Sequence, residues 1–566
     1  MEEMKSMLLK HLKELAFFME YGDENFFKIR AIKAAREILE GLQADEIHQR
    51  IEAGTLTELK GIGKGIAGIC SEFSRSGSSK DWKAATKGLP LSLIELTKIR
   101  GLGIRKIKSI YEQLGVSNIS ELEYACEENR LASLESFGKK YQEKILKEIF
   151  SLKANQNKLL LSDALEEAKK LEAKFPKKLL FAPIGDLGKK MEIVEYFEYL
   201  LVPPTPKKLP ALIQDLSQTK LHKSKSVSKD IRFHTKNGQE VRFVFCSKEE
   251  FAISRIFHTS SAAHWEALEK KAISKKLNLT SMQLKKDKKI IPIESEDKLY
   301  QELGLAYYPP EAREYRPTSS FEFVKLQDVH GAFHTHTTYS DGRNSLSEMV
   351  AAAQKRGWSY IGLSDHSQSS SYANGLKKSE LEKQWQEMKS TSTKVQGFRI
   401  FRGIESDILK KGELDYPESI LKKFDFVIAS IHQRYGLKDM TERIINAIRN
   451  PYTTMIGHIS GRLLLGRNPY ELSYEKVIRE AIQSKTIIEF NCNPHRMDID
   501  WRFLNEACQQ GLLISLNPDA HSTEGLDNVE FGVWMANKAQ VEKKQILNTW
   551  SAEEIDLFFI KNKKAA

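Results

Sequence analysis

The chain has 566 residues, 41% hydrophobic and 29% charged, with a formal net charge of +11. That is too long for a single core and has the composition of globular proteins, not of fibrous or disordered ones. The basic excess favours a polyanionic partner, and no apolar stretch approaches the roughly 20 residues that span a bilayer, so a membrane partner is not expected.

Residues 1–80 read as short helices. Met7, Leu8, Leu12, Leu15 and Phe18 share one helical stripe. The opening MEEMKSMLLKHLKELAFFMEYG mixes charges into its apolar positions and is unlike a signal peptide. FFKIRAIKAAREILEGL follows with a basic face that, taken alone, reads as solvated surface. In LTELKGIGKGIAGICSEF, Gly61 and Gly63 lie between two helical patterns, with Lys64 next. In a helix-hairpin-helix such a turn aims the N–H groups of a helix N-terminus at a DNA phosphate. One GxG is a weak signal, but LTKIRGLGIRKIKSIYEQLG repeats it at Gly101 and Gly103. LASLESFGKKYQEKILKEI keeps Gly138 and lacks the first glycine. Recurrence within about 80 residues strengthens the reading. Such turns position a sugar-phosphate backbone without reading bases.

Further on, EYFEYLLV and EVRFVF are apolar-rich and β-prone. WEALEKKAISKKLNLTSMQLKKDKKI carries lysine clusters, either for duplex phosphates or as a solvated face. From about residue 330 the pattern changes. Short apolar runs, in the manner of buried strands, which typically take about 4–8 residues, end at or just before a histidine or carboxylate. GAF precedes His334 and His336, YIGLSD precedes His366, and FRIFRGI precedes Glu405. FDFVIASI precedes His432, TTMIG precedes His458, and LLISLNP precedes Asp519 and His521. TIIEFN ends in Asn491, and Asp341 lies in SDG, which is also a common turn. Functional groups at strand C-terminal ends are the layout of a (β/α) barrel site. Imidazoles mixed with carboxylates bind catalytic transition metals. His334 and His336, at i and i+2 on a strand, are expected to face one side. Any one of these histidines is more simply a core or surface residue; nine residues at successive strand ends are not.

The five cysteines (Cys70, Cys126, Cys246, Cys492, Cys508) show no CxxC spacing and read as reduced thiols of a cytoplasmic protein.

ENFFKIRAIKAAREILEGL followed by two GxG hairpins resembles the N-terminal and fingers regions of family X DNA polymerases, the DNA polymerase beta relatives. The later runs, with GHISGRLLLGRNPY and NPDAHS, resemble the PHP (polymerase and histidinol phosphatase) domain. In this order the two resemble the bacterial PolX architecture over nearly the whole chain. The resemblance implies a multidomain α/β protein. Its parts are a helix-hairpin-helix domain at about 1–80 and a fingers-like helical domain at 81–155. An α+β nucleotidyltransferase-like palm follows at 156–248, a thumb at 249–320, and a distorted (β/α)7 PHP barrel at 328–566. It implies DNA as partner (nicked, gapped or 3′-ended), a cytoplasmic, nucleoid-associated place in a bacterium, and up to three Mn²⁺ or Zn²⁺ ions with no organic cofactor. Oligomeric state is left open.

Carried over by position, the first ion falls to His334, His336, Glu405 and Asp519, the second to Glu405, His432 and His458, and the third to Asp341, His366 and His521. Glu405, His334 and Asp519 are then the catalytic centre. Arg434 in SIHQRYG and Arg462 in GHISGR either hold substrate phosphate or form surface ion pairs. The polymerase half departs from its family's pattern. In PIGDLGKKMEIVEYFEYLLV, Gly185 keeps the nucleotide-turn glycine while Asp186 replaces the serine, an anion where triphosphate binds. The three catalytic aspartates fall on Tyr196, Glu198 and Arg242. The lyase lysine falls on Ile69, which has no amine; nearby Lys64 meets phosphate or solvent. The leading expectation is a DNA-repair phosphoesterase, a 3′–5′ exonuclease with abasic-site or 3′-end cleaning activity, on a DNA-binding but silent polymerase core. The alternatives are a working gap-filling polymerase (for instance through Glu198 with Glu240), a small-phosphomonoester phosphatase, and a non-catalytic scaffold.

Overall fold

The computed structural model describes residues 1–153, 158–203, 216, 230–235, 239–432 and 440–562. The chain divides into two compact units, Met1–Cys126 with Leu134–Ile149, and Glu127–Ser133 with Phe150–Ala566. The two helical segments expected to part near residue 80 thus belong to one unit.

That unit is built from α1 (Glu2–Tyr21), α2 (Phe26–Glu40), α3 (Ala44–Ala53), α4 (Lys64–Ser76), α5 (Lys80–Ala85), α6 (Ile104–Leu114), α7 (Ile119–Glu127) and α8 (Lys139–Lys153). Its first helix is 20 residues long, not short. Leu8, Leu12, Leu15 and Phe18 are buried on its stripe, but Met7 is 52% exposed. Met7 lies within about 20° of Phe18 round the helix, so the core covers that side at Phe18 but not at Met7, nearer the N-terminus. Asn25 starts α2 by accepting from the N–H of Phe27 at 2.9 Å. Ile69 lies in the helical core with Leu56, Ile66 and Phe73.

Each glycine hairpin has the same form. Gly61 (φ +101°) and Gly101 (φ +86°) make the turn, and Gly63 and Gly103 begin α4 and α6. Between each pair an apolar residue is tucked into the core: Ile62 is 3% exposed and Leu102 5%. The flanking glycines and Lys64 are exposed. The third turn keeps the anchor, Phe137, and the exposed Gly138 before α8.

In the second unit, β1 (Leu159–Leu160) pairs with β3 (Ile193–Val194). A mixed sheet orders β2 (Leu180–Ile184), β4 (Phe197–Val202), β6 (Glu240–Phe245) and β5 (Asp230–His234). The central pair β4 and β6 is parallel and its neighbours antiparallel. Helices Phe251–Thr259, Ala262–Ser274 and Glu296–Leu303 follow, with the small sheet β7 (Asn278–Leu279), β8 (Leu284–Lys286) and β9 (Lys289–Ile291).

Seven parallel strands then stand in chain order: β10 (Gly331–Thr335), β11 (Tyr360–Leu363), β12 (Arg399–Asp407), β13 (Phe426–Ser430), β14 (Met455–Ile456), β15 (Ile487–Asn491) and β16 (Ile514–Asn517). A bridge between Thr335 and Ala520 joins first to last, so the barrel is nearly closed. Period-two alternation divides its interior into layers. Tyr360, Phe401, Phe426 and Ile487 fill the N-terminal end, which Phe559 of the C-terminal helix plugs. A Cβ at Gly403 would lie 2.1 Å from the Phe426 ring, so this apolar layer needs a glycine there. Two and four residues on from Phe401 and Ile487, the same inward faces carry Glu405, Glu489 and Asn491 at the C-terminal end.

Candidate metal centre

Simple alternation on β10 does not by itself gather the two histidines. Phe333 packs in the apolar interior layer, yet the next residue, His334, also reaches interior groups. The strand accommodates this by a register shift between Ala332 and Thr335 and by a left-handed backbone at His334 (φ +57°). Asp519, just past β16, is also left-handed (φ +51°). Such conformations cost on the order of 1–3 kcal/mol each and persist where surrounding contacts fix them.

Glu405 is the hub, 1% exposed. Its Oε1 lies 3.1 Å from His334 Nε2, 3.1 Å from His432 Nε2 and 3.0 Å from His458 Nε2. Its Oε2 lies 2.9 Å from His366 Nδ1 and 3.7 Å from His336 Nε2. Asp519 Oδ1 stands 3.3 Å from His334 Nε2 and 3.4 Å from His336 Nε2. Asp341 Oδ2 lies 3.5 Å from His366 Nε2, and its Oδ1 3.3 Å from His521 Nε2. The SDG turn thus delivers a carboxylate into the cluster. All nine residues singled out in the sequence meet in one place.

Several of the converging atoms are buried without a hydrogen-bond partner: His334 Nε2, both ring nitrogens of His336, Asp341 Oδ2, His366 Nδ1, Glu405 Oε2 and His521 Nε2. Buried polar atoms are almost always paired, so a cluster of unpaired nitrogens and carboxylate oxygens fits bound cations. Subsets of three or four lie with their ligand atoms within 4.8 Å of one another, among them His336–Asp341–His366–His521 and His334–Glu405–His458. The mixed N/O donor set suits a divalent transition metal.

A second layer orients these side chains. Glu489, fully buried, meets His334 Nδ1 at 2.5 Å and accepts from the His458 N–H at 2.9 Å, Asn491 Nδ2 at 2.9 Å and Asn517 Nδ2 at 2.8 Å. Asp407 holds His432 Nδ1 at 2.6 Å. Asp365 accepts from the Thr337 N–H at 2.8 Å and Ser340 Oγ at 2.6 Å, fixing the turn that carries Asp341. Burial pushes the Asp365 carboxyl up to about 6. Burial also opposes ionisation of Glu405, but His432, His334 and His366 outweigh it and hold the carboxyl well below its usual range. For His336, burial and then the neighbouring His521 and His366 lower the imidazole to about 4, so it presents lone pairs. The sequence reading passed over Glu489, Asp407 and Asp365. The inward parity of Ile487, Glu489 and Asn491 in TIIEFN was the available signal for the first.

A PHP domain family model matches residues 332–493, and a DNA polymerase beta thumb model matches residues 254–314. The DNA polymerase/3′-5′ exonuclease PolX of Bacillus subtilis is 30% identical over 573 residues, 99% of this chain and 100% of its own length. The chain belongs to the PolX family. A probable phosphatase of Thermoanaerobacter sp. is 31% identical over 231 residues, 38% of this chain and 89% of its own length. Another, of Caldicellulosiruptor bescii, is 36% identical over 170 residues, 28% of this chain and 63% of its own length. This PolX-family chain is therefore an enzyme of the PolX/PHP type. No helix among its described residues is long and apolar enough to cross a membrane.

The mixed sheet places side by side residues that align by sequence with polymerase positions. Glu198 on β4 pairs in register with Arg242 on β6. Arg242 Nη1 is 2.9 Å from Glu198 Oε1, and its Nη2 is 2.8 Å from Asp230 Oδ2. Glu198 also lies against Gly185 (φ +56°), where a Cβ would stand 1.9 Å from its Oε2. Tyr196 precedes β4; Glu198 beside it holds the phenol above its ordinary value, so it stays neutral. Asp186 is half-buried, and that burial raises its carboxyl.

Arg462 does not face the cluster. Its Nε donates to the Arg496 carbonyl at 2.9 Å, its Nη1 meets Asp500 Oδ2 at 2.7 Å, and its Nη2 donates to the Met497 carbonyl. A guanidinium held at all three nitrogens by its own chain is a structural brace, which corrects the phosphate-binding expectation. Arg496 stands nearer, its Nε 3.6 Å from Asp519 Oδ2. Arg434 lies outside the described residues.

Proposed function

We propose that this chain is a metal-dependent DNA phosphoesterase of DNA repair. In this reading the PHP barrel acts as a 3′–5′ exonuclease that also clears blocked 3′ ends or abasic sites, while the polymerase core holds DNA without extending it. The observation that carries the reading is Glu405, buried and within reach of five imidazoles, with the facing nitrogens of His334, His336 and His366 unpaired. His334, His336, Glu405 and Asp519 would hold one ion, Glu405, His432 and His458 a second, and Asp341, His366 and His521 a third. Bound Mn²⁺ or Zn²⁺ would supply a water acidified to near neutral pH and positive charge for the phosphoryl oxygens. Glu489 and Asp407 engage the Nδ1 atoms of His334 and His432 and so turn each Nε2 toward Glu405. Glycine turns at Gly61–Gly63, Gly101–Gly103 and Gly138 would grip the DNA backbone through helix N-termini, with Lys64 beside the first. DNA with nicks, gaps or free 3′ ends, in the cytoplasm at the nucleoid, is the substrate this arrangement serves.

The silent-core part rests on Arg242. Two-metal phosphoryl transfer needs free carboxylates, whereas Glu198 and Asp230 already hold a guanidinium between them. A second reading, a gap-filling polymerase with accessory exonuclease, is favoured by full-length similarity to a Bacillus subtilis protein named for both activities.

Glu405→Ala and His334→Ala test the barrel assignment. Each should abolish shortening of a 3′-recessed primer and leave DNA affinity, read by fluorescence anisotropy, unchanged. Retained shortening in either folded variant would remove the barrel from the reaction. Turnover of p-nitrophenyl phosphate far above that of DNA would favour a small-molecule phosphatase.

A further inference from the structure

Residues Glu127–Ser133 belong to the same compact unit as the barrel, although α7 and α8 flank them in sequence. Contacts at Glu127 help seat them. Glu127 Oε2 lies 2.8 Å from His495 Nε2, and the Glu127 carbonyl accepts from Arg343 Nη2 at 2.7 Å. The next residues enter the cavity over Glu405, whose lining includes Glu128, Arg130, Tyr372 and Arg496. Arg130 Nη1 is 3.1 Å from Glu128 Oε2, and the Arg130 guanidinium lies 4.3 Å over the Tyr372 ring. The Tyr372 ring is 6.2 Å from those of both His366 and His432. Glu128 Oε1 in turn is 3.9 Å from His521 Nε2, at the edge of the cluster. The side chains of Arg130 and Glu128 are only 14% and 9% exposed.

We propose that Arg130 is a substrate-binding residue of the barrel site, gripping the DNA phosphate presented for hydrolysis, and that Glu128 holds its guanidinium until DNA arrives. This rests on the phosphodiesterase reading above. A largely buried cation needs an anionic partner. A carboxylate and a phosphate offer the guanidinium fork the same pair of oxygens, so one can replace the other. Stacking on Tyr372 fixes the plane of the fork while its partner changes. Neither Arg130 nor Glu128 lies within the matched PHP residues 332–493. The grip on phosphate is thus supplied by a segment outside the barrel sequence, and a barrel alone would lack it.

The test uses the full-length protein with Mn²⁺ and a 5′-labelled primer on a longer template, with thymidine 5′-monophosphate as competing inhibitor. Arg130→Gln should raise both KM and the inhibition constant by on the order of 10- to 100-fold, the loss of a charge-assisted hydrogen bond. Arg130→Lys should recover part of that, and Glu128→Gln should lower the inhibition constant by freeing the guanidinium. The Arg130→Gln/Glu128→Gln double variant removes both charges of the pair together. It keeps the test open if the single variant fails to fold, and should show the same weakened inhibition. Unchanged KM and inhibition constant in folded Arg130→Gln, or in the double variant, would make the pair a structural salt bridge and overturn the proposal. A Glu405→Ala control separates the two levels. Shortening that survives it sinks the barrel reading itself, whereas an inactive Glu405→Ala beside an unaffected Arg130→Gln sinks only the role of Arg130.

Discussion

Glu489→Gln is the most searching perturbation of the metal centre, because it changes no proposed ligand. The Glu489 carboxylate meets four nitrogens, two on each oxygen: the His458 N–H and Asn491 Nδ2 on Oε1, and Asn517 Nδ2 and His334 Nδ1 on Oε2. Glutamine is isosteric but has one acceptor oxygen and one NH₂ group. Whichever way its amide turns, the NH₂ faces two groups that were donating, so two bonds to a charged acceptor are lost. Hydrogen bonds to charged groups contribute about 1.5–3 kcal/mol each, so the fold should lose roughly 2–4 kcal/mol after local relaxation. Even where the remaining oxygen faces His334, a neutral amide holds Nδ1 less strongly than the carboxylate did, so His334 presents Nε2 less well. Loss of such an outer partner typically costs 10- to 100-fold in metal affinity, about 1.4–2.8 kcal/mol. The assay is titration of metal-free protein with Mn²⁺, read both as heat and as onset of primer shortening. Activity should return at high Mn²⁺, with the half-saturating concentration raised at least tenfold. An unchanged Mn²⁺ affinity in folded Glu489→Gln would refute the reasoning that this carboxylate aims His334.

Three further outcomes follow from other parts of the chain. His264, fully buried against the Tyr300 hydroxyl at 2.9 Å and the Tyr315 carbonyl at 2.7 Å, is lowered by that burial to about 4. Between pH 6.5 and 4 the unfolded chain binds its proton and the folded one does not, so stability present above pH 6.5 falls by roughly 3 kcal/mol as pH drops through that window; hydrogen exchange in the thumb should show a shallower pH slope in His264→Gln, and equal slopes would contradict it. Gly61→Val places a Cβ at φ +101°, 2.8 Å from Ile38 Cδ1. It should cost about 1–3 kcal/mol and weaken DNA binding several-fold, while hydrolysis of a small thymidine phosphodiester stays unchanged. Arg242→Leu leaves Glu198 and Asp230 facing each other and should cost about 1–3 kcal/mol in thermal unfolding, with primer extension still at background; extension above background would show that the guanidinium alone silences the palm.

Much of the barrel was legible because parallel strands buried on both faces read as nearly continuous apolar runs. Their ends, where a polar residue interrupts the run, are where His366, Glu405 and Asp519 stand. What escaped reading has physical causes. The left-handed turn at His334 depends on contacts from distant strands, and nothing local announces it. Glu489 sat inside an apolar run, where it looked like an interruption and not like an inward-facing orienter. Arg462 adjoins a ligand in sequence, but its guanidinium is drawn to Asp500 and two backbone carbonyls, whereas Arg130, far upstream, reaches the cavity. The glycine hairpins were readable because a left-handed turn followed by a helix start asks for glycine at both ends. Met7 failed because spacing fixes the side of a helix and not how far along it the core extends.

The central claim is that chemistry resides in the barrel and not in the palm. A 5′-labelled primer on a longer template, incubated with Mn²⁺ with and without all four dNTPs, tests it most directly, with Glu405→Ala alongside. Shortening is expected under both conditions in the wild-type protein, and neither shortening nor extension in the variant. Extension with dNTPs that persists in Glu405→Ala would mean that the palm assembles a working metal site despite Arg242, and the claim would fail.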